Sequence, residues 1–143
     1  MKRRLCLFVY GTLQPRAGTA MARWLAVRTL RAEPASAPGR LFGLKAGLGW
    51  YPALVPAKSG VRVRGTMCEL LLAPGDLTRL DRYEGREYRR ICQRVQTGRR
   101  RSVPAQLYLW RARLPPKRTA IGDGDFIGWL HRTGRQAFAT PRD

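Results

Sequence analysis

Phe8-Val9-Tyr10-Gly11-Thr12-Leu13 and Leu80-Asp81-Arg82-Tyr83-Glu84-Gly85 are the two most informative segments of the chain. The first closes an unbroken apolar run, Leu5 to Tyr10, of the length and character of a strand covered on both faces. Gly11 ends the run. A strand that stops at glycine turns its next N–H groups into a small concave site for an anion or a carbonyl, although an ordinary tight turn uses the same residues. The second stretch closes a helix on which Leu77, Leu80 and Glu84 share a face at i, i+3 and i+7, with Pro74 at the favoured first position and Gly85 as the stop. A carboxylate on that face points inward, where burial and the negative helix terminus both raise its pKa. Such a group is poised to exchange protons near neutral pH, and the competing reading is an ion pair with Arg82, Arg86, Arg89 or Arg90. Asp81 reads as an arginine partner and Asp76 as a charge at the helix N-terminus.

Working outward, Thr19 to Leu30 carries Ala20, Met21, Trp24, Leu25 and Val27 at helical spacing, which makes an amphipathic helix that packs back on the first strand. Ala32 to Gly39, with two prolines, reads as a connection. Arg40 to Leu44 reads as a short strand, and Gly47 to Pro52 as a loop leading into Ala53-Leu54-Val55. Val61 to Cys68 alternates as a half-buried strand does. Tyr88 to Gln96 and Val103 to Trp110 are two further strands joined by a turn at Gly98 to Arg101, with Tyr108 facing opposite to Leu107 and Leu109. Pro115-Pro116 breaks the sheet, Asp125 caps a last helix through Leu130, and Gly134 ends it. More strand than helix, in this order, predicts an α+β fold: a small mixed β-barrel or strongly bent sheet flanked by helices.

The 143 residues predict one domain, 1–143, with 135–143 as a flexible tail, and enough chain to bury a core without a metal or disulfide. No apolar run reaches the length of a membrane-spanning helix, and the basic start before Leu5 lacks a cleavage site for a signal peptide. Cys6, Cys68 and Cys92 are far apart and in no C-x-x-C pair, so buried, reduced thiols in a cytoplasmic protein are expected. One histidine, His131, and serines outside any nucleophile elbow argue against hydrolytic triads and zinc. Gly122-Asp123-Gly124-Asp125 lacks the further acids of a calcium loop and reads as a turn plus cap. The net charge of +19, nearly all arginine, permits a polyanion partner, but the arginines are scattered and only Arg99-Arg100-Arg101 is a compact run. Nucleic-acid binding is therefore expected only as nonspecific charge attraction, with no recognition motif for RNA in the chain.

The segments Phe8 to Leu13, Tyr51 to Leu54, Val63-Arg64-Gly65, Leu80 to Gly85 with Tyr88-Arg89-Arg90, Tyr108, and Ile121 to Phe126 together resemble the gamma-glutamylcyclotransferase-like family, in particular its small bacterial branch related to gamma-glutamylamine cyclotransferase. The resemblance runs in order from about Leu5 to about Trp129. It implies a barrel flanked by helices and an enzyme that releases 5-oxoproline from a small γ-glutamyl amide without cofactor or metal. It implies Glu84 as the catalytic acid/base, with Tyr10, Gly11, Thr12, Leu13, Tyr51 and Tyr108 binding substrate. The substrate's own α-amine would attack its γ-carbonyl, which fits a chain with no protein nucleophile in place. The leaving amine differs among family members, and a monomer and a homodimer fit equally. The alternatives are a non-catalytic module of the same fold that binds a metabolite or a partner, and an RNA-associated basic protein.

Overall fold

Both faces of β1 (Arg3–Val9) are covered, and that places everything else. The computed structural model describes residues 1–98 and 101–138. Leu5, Leu7 and Val9 point to one side, where Met21 and Leu25 of α1 (Ala20–Val27) and Leu80 of α2 (Asp76–Glu84) pack on them. Phe8 and Tyr10 point to the other, into a cluster that includes Ala37, Val63, Met67, Val95 and Leu107. That second cluster is the interior of a closed barrel in the order β1, β5 (Arg62–Leu72), β2 (Thr29–Pro38), β6 (Tyr88–Thr97), β7 (Arg101–Trp110). Every neighbouring pair is antiparallel except β1 and β7, which close the barrel in parallel at Leu7 and Gln106. A three-stranded sheet, β4 (Gly49–Val55), β3 (Arg40–Ala46), β8 (Arg118–Ala120), lies beside it, and α3 (Phe126–Thr133) adds Phe126, Ile127, Trp129 and Leu130 to the interior cluster. The fold is the α+β barrel with flanking helices that the pattern predicts.

Several local expectations change. Residues 32–38 form most of β2 rather than a connection, and only Gly39 lies outside it, because the strand pairs along its length with β5 and touches β6 only at Ala35 and Ser36. Most of its second edge therefore carries no ladder for a proline's missing N–H to interrupt. Pro52 is tolerated in β4 for the same reason, since β3 is the only strand paired with β4 among the described residues and the chain on its other edge bonds at Trp50, not at Pro52. The first helix stops at Val27 rather than Leu30: Arg28 O accepts from Leu71 N at 2.9 Å, and Thr29 is already paired with Leu70. Helix α2 begins at Asp76, after Pro74 and Gly75; the Asp76 carboxylate accepts from Ala73 N at 2.8 Å and from Arg28 at 3.0 Å. The short strand β8 follows Pro115-Pro116, where no strand is expected. In the expected flexible tail, Trp50 N donates to Gln136 O and Phe138 N to Trp50 O, which lays Gln136 to Phe138 along β4; residues 139–143 lie outside the described residues, as do Arg99 and Arg100 of the basic run.

Leu80 is fully buried between β1 and α1, so Leu80→Ala is expected to cost about 2–5 kcal/mol in urea unfolding. A loss under about 1 kcal/mol would mean that α2 does not dock through this residue.

Candidate active site

The end of β1, the end of α2, the start of β6 and the end of β7 converge with β4 around a cavity of about 250 Å³. All seven residues singled out from the sequence line it: Tyr10, Gly11, Thr12, Leu13, Tyr51, Glu84 and Tyr108. The chain at the β1 exit is held in three ways. Gln14 N donates to Gly11 O at 3.0 Å, Thr19 donates its hydroxyl to Thr12 O at 2.8 Å while capping α1, and the Thr12 and Tyr83 hydroxyls share a hydrogen bond of 2.7 Å. No N–H of Gly11, Thr12 or Leu13 donates to a protein acceptor among the described residues. Gly11 is required by close approach rather than by backbone angle, since a Cβ there would lie 2.2 Å from Pro52 Cγ.

Glu84 ends α2 because Gly85 takes φ 91° and returns its N–H to Asp81 O at 3.0 Å. The face shared with Leu80 turns the carboxyl toward the cavity. Among the described residues Glu84 makes no ion pair: Arg90 goes to Asp81 at 3.0 Å, and Arg82, Arg86 and Arg89 are exposed. Burial, and then the nearby Asp81 carboxylate, push the Glu84 pKa up to about 8. Asp81 is in turn held by Tyr108, whose hydroxyl donates to it at 2.7 Å. Burial raises the phenols of Tyr10, Tyr88 and Tyr108 as well, so they stay protonated donors; Tyr10 donates to Tyr108 O and Tyr88 to Pro52 O. The wall's hydroxyls are therefore committed to neighbouring elements, those of Tyr10 and Tyr88 to strands and that of Tyr108 to α2.

A raised carboxyl has a thermodynamic signature. The folded pKa lies above the ordinary 4.5, so the stability associated with this group is fully present below that value and is lost as pH rises through about 8. Glu84→Gln removes the titration. Its stability relative to the parent chain is expected to improve between pH 5 and pH 9 by on the order of a few kcal/mol, read by denaturant unfolding at each pH. A difference independent of pH would place the carboxyl in water.

The sequence reading missed Tyr83, Tyr88, Pro52, Glu87, Trp110 and Phe138 as lining residues. Tyr88 and Trp110 stand edge to face at 5.1 Å, and Tyr51 lies 6.2 Å from Trp110 and 6.1 Å from Phe138. Aromatic residues at strand ends carry no signal that separates cavity from core; Phe138 lies in a segment with no periodicity. Cys68 is buried and its thiol pushed up to about 11, Cys6 is half-buried, and Cys92, expected inside, is exposed on β6; none lines the cavity. Among the described residues no cluster of His, Cys, Asp or Glu has the makings of a metal site, and no helix is long and apolar enough to cross a membrane.

The family model described as gamma-glutamyl cyclotransferase, AIG2-like, matches residues 7–128. The chain belongs to that family. The fold of this chain is similar to that of YkqA from Bacillus subtilis, with a TM-score of 0.69 and 23% identity over 92% of this chain and 43% of that one, so the chain spans under half the length of that protein. A protein of Arabidopsis thaliana solved in solution is similar at TM-score 0.65 and 27% identity, over 92% of this chain and 85% of that one. An AIG2-like protein from Mus musculus is similar at TM-score 0.59 and 22% identity, over 80% of this chain and 82% of that one. No curated protein matches the chain at a significant level.

Proposed function

We propose that the chain releases 5-oxoproline from a small γ-glutamyl amide by an intramolecular displacement. The substrate's α-amino nitrogen attacks its own γ-carbonyl carbon, the bond from that carbon to the leaving nitrogen breaks, and a five-membered lactam and a free amine result. Glu84 takes the proton from the attacking nitrogen and returns it to the departing one, so the carboxyl ends each cycle as it began. The N–H groups of Gly11, Thr12 and Leu13 hold the substrate carboxylate or the oxygen on which charge develops, and folding the substrate into its ring-forming shape supplies part of the rate through orientation. The observation that carries this reading is the Glu84 carboxyl, with its pKa pushed up to about 8, at a cavity also lined by Gly11, Thr12 and Leu13, whose N–H groups have no protein acceptor among the described residues. Family membership and a volume suited to a small ligand support it. The test is incubation with γ-glutamyl amines, γ-glutamyl amino acids and glutathione, following 5-oxoproline. Release from at least one class is expected; silence across the panel, with ligand still bound, would make the protein a metabolite-binding module.

A further inference from the structure

A second concavity, an open groove of about 600 Å³, abuts the same helix. Arg82 of α2, Arg86, Arg89 and Arg90 at the start of β6, and Arg111 after β7 line it, against Asp81 as the one carboxylate among the lining residues. Arg90 is committed to Asp81. Arg82, Arg86, Arg89 and Arg111 have no carboxylate partner among the described residues, and Arg111 is fixed by its Nε, which donates to Arg86 O at 2.8 Å. Unpaired arginines are common on a chain of net charge +19; what sets these apart is that they converge on one hollow. Cations that line one hollow repel one another, and an anion between them relieves the repulsion. Their planar forks match phosphate oxygens two donors at a time, and four such groups around a hollow larger than a single phosphate favour a ligand with several charges.

We propose that this groove binds a small polyphosphate-bearing anion, either a free polyphosphate chain or the triphosphate of a nucleotide. Glu84 does not line this groove, which shares only Tyr88 and Tyr108 with the cavity that Glu84 faces. The chain between β5 and the groove makes a charge-matched control available, because Lys58 and Arg64 are exposed near the start of β5, whereas α2 follows its end.

Calorimetric titration of the full chain with inorganic tripolyphosphate, and separately with ATP, at about 150 mM salt tests the proposal. Saturable binding is expected, weakened about tenfold or more in Arg86→Ala/Arg89→Ala and by less than about twofold in Lys58→Ala/Arg64→Ala. Tighter binding of ATP than of tripolyphosphate would support a nucleotide occupant, and equal affinities a bare phosphate chain. Absence of binding, or equal losses in the two double variants, would reduce the groove to diffuse surface charge and overturn the proposal. So would a single-stranded RNA oligomer that binds about tenfold more tightly than either probe through Arg86 and Arg89, since the groove would then serve nucleic acid.

Discussion

Glu84→Gln is expected to lower turnover of the best γ-glutamyl substrate by about 10³-fold or more while leaving substrate affinity within a few fold. Placed general acid–base groups contribute about 10²–10⁴-fold, and here one carboxyl both accepts and returns the proton, so the loss belongs at the upper end. The amide keeps the volume and one acceptor oxygen of the carboxyl but carries no exchangeable charge state. Asp81 does not substitute, because Arg90 at 3.0 Å and the Tyr108 hydroxyl at 2.7 Å already engage it. A variant turning over at the parental rate removes Glu84 from the mechanism. Comparison of kcat with KM matters, because a rise in KM alone would make the residue a binding group.

Gly11→Ala carries the second largest expected effect. The added Cβ would fall 2.2 Å from Pro52 Cγ and 2.7 Å from its Cδ, so the β1 exit and β4 have to separate. Forced overpacking costs about 1–3 kcal/mol, and displacement of a binding turn by about 1 Å costs on the order of 10²-fold in rate. Because the same turn presents the N–H groups of Gly11, Thr12 and Leu13, stability and kcat/KM are expected to fall together. The diagnosis has its own control. In Gly11→Ala/Pro52→Ala the nearest remaining atom of residue 52 is its Cβ, 3.6 Å from the new methyl, and a large part of the lost rate is expected to return. If the double variant is no better than the single one, Gly11 acts through something other than space.

The elements whose sequence showed their burial were legible. β1 declares itself because Leu5, Leu7 and Val9 face the helices while Phe8 and Tyr10 face the barrel, so every position from Leu5 to Tyr10 is apolar. Glu84 stands out because it sits on the face that buries Leu80, and the ion pair weighed for it does not form among the described residues: Arg82, Arg86 and Arg89 are exposed and Arg90 pairs with Asp81. β2 and β4 were not legible, because Pro34, Pro38 and Pro52 read as breakers until the pairing shows which strand edges carry no ladder. The aromatic wall was hidden for a different reason. Tyr88, Trp110 and Phe138 come from the start of one strand, the end of another and a segment laid along β4, and only the assembled barrel brings them together.

The most direct test of the account is a structure of the chain crystallised with 5-oxoproline. The account predicts the product in the 250 Å³ cavity, its carboxylate on the N–H groups of Gly11 to Leu13 and its lactam nitrogen or oxygen within hydrogen-bond distance of Glu84. Product bound with its ring turned away from Glu84, or held only in the arginine-lined groove, would contradict it.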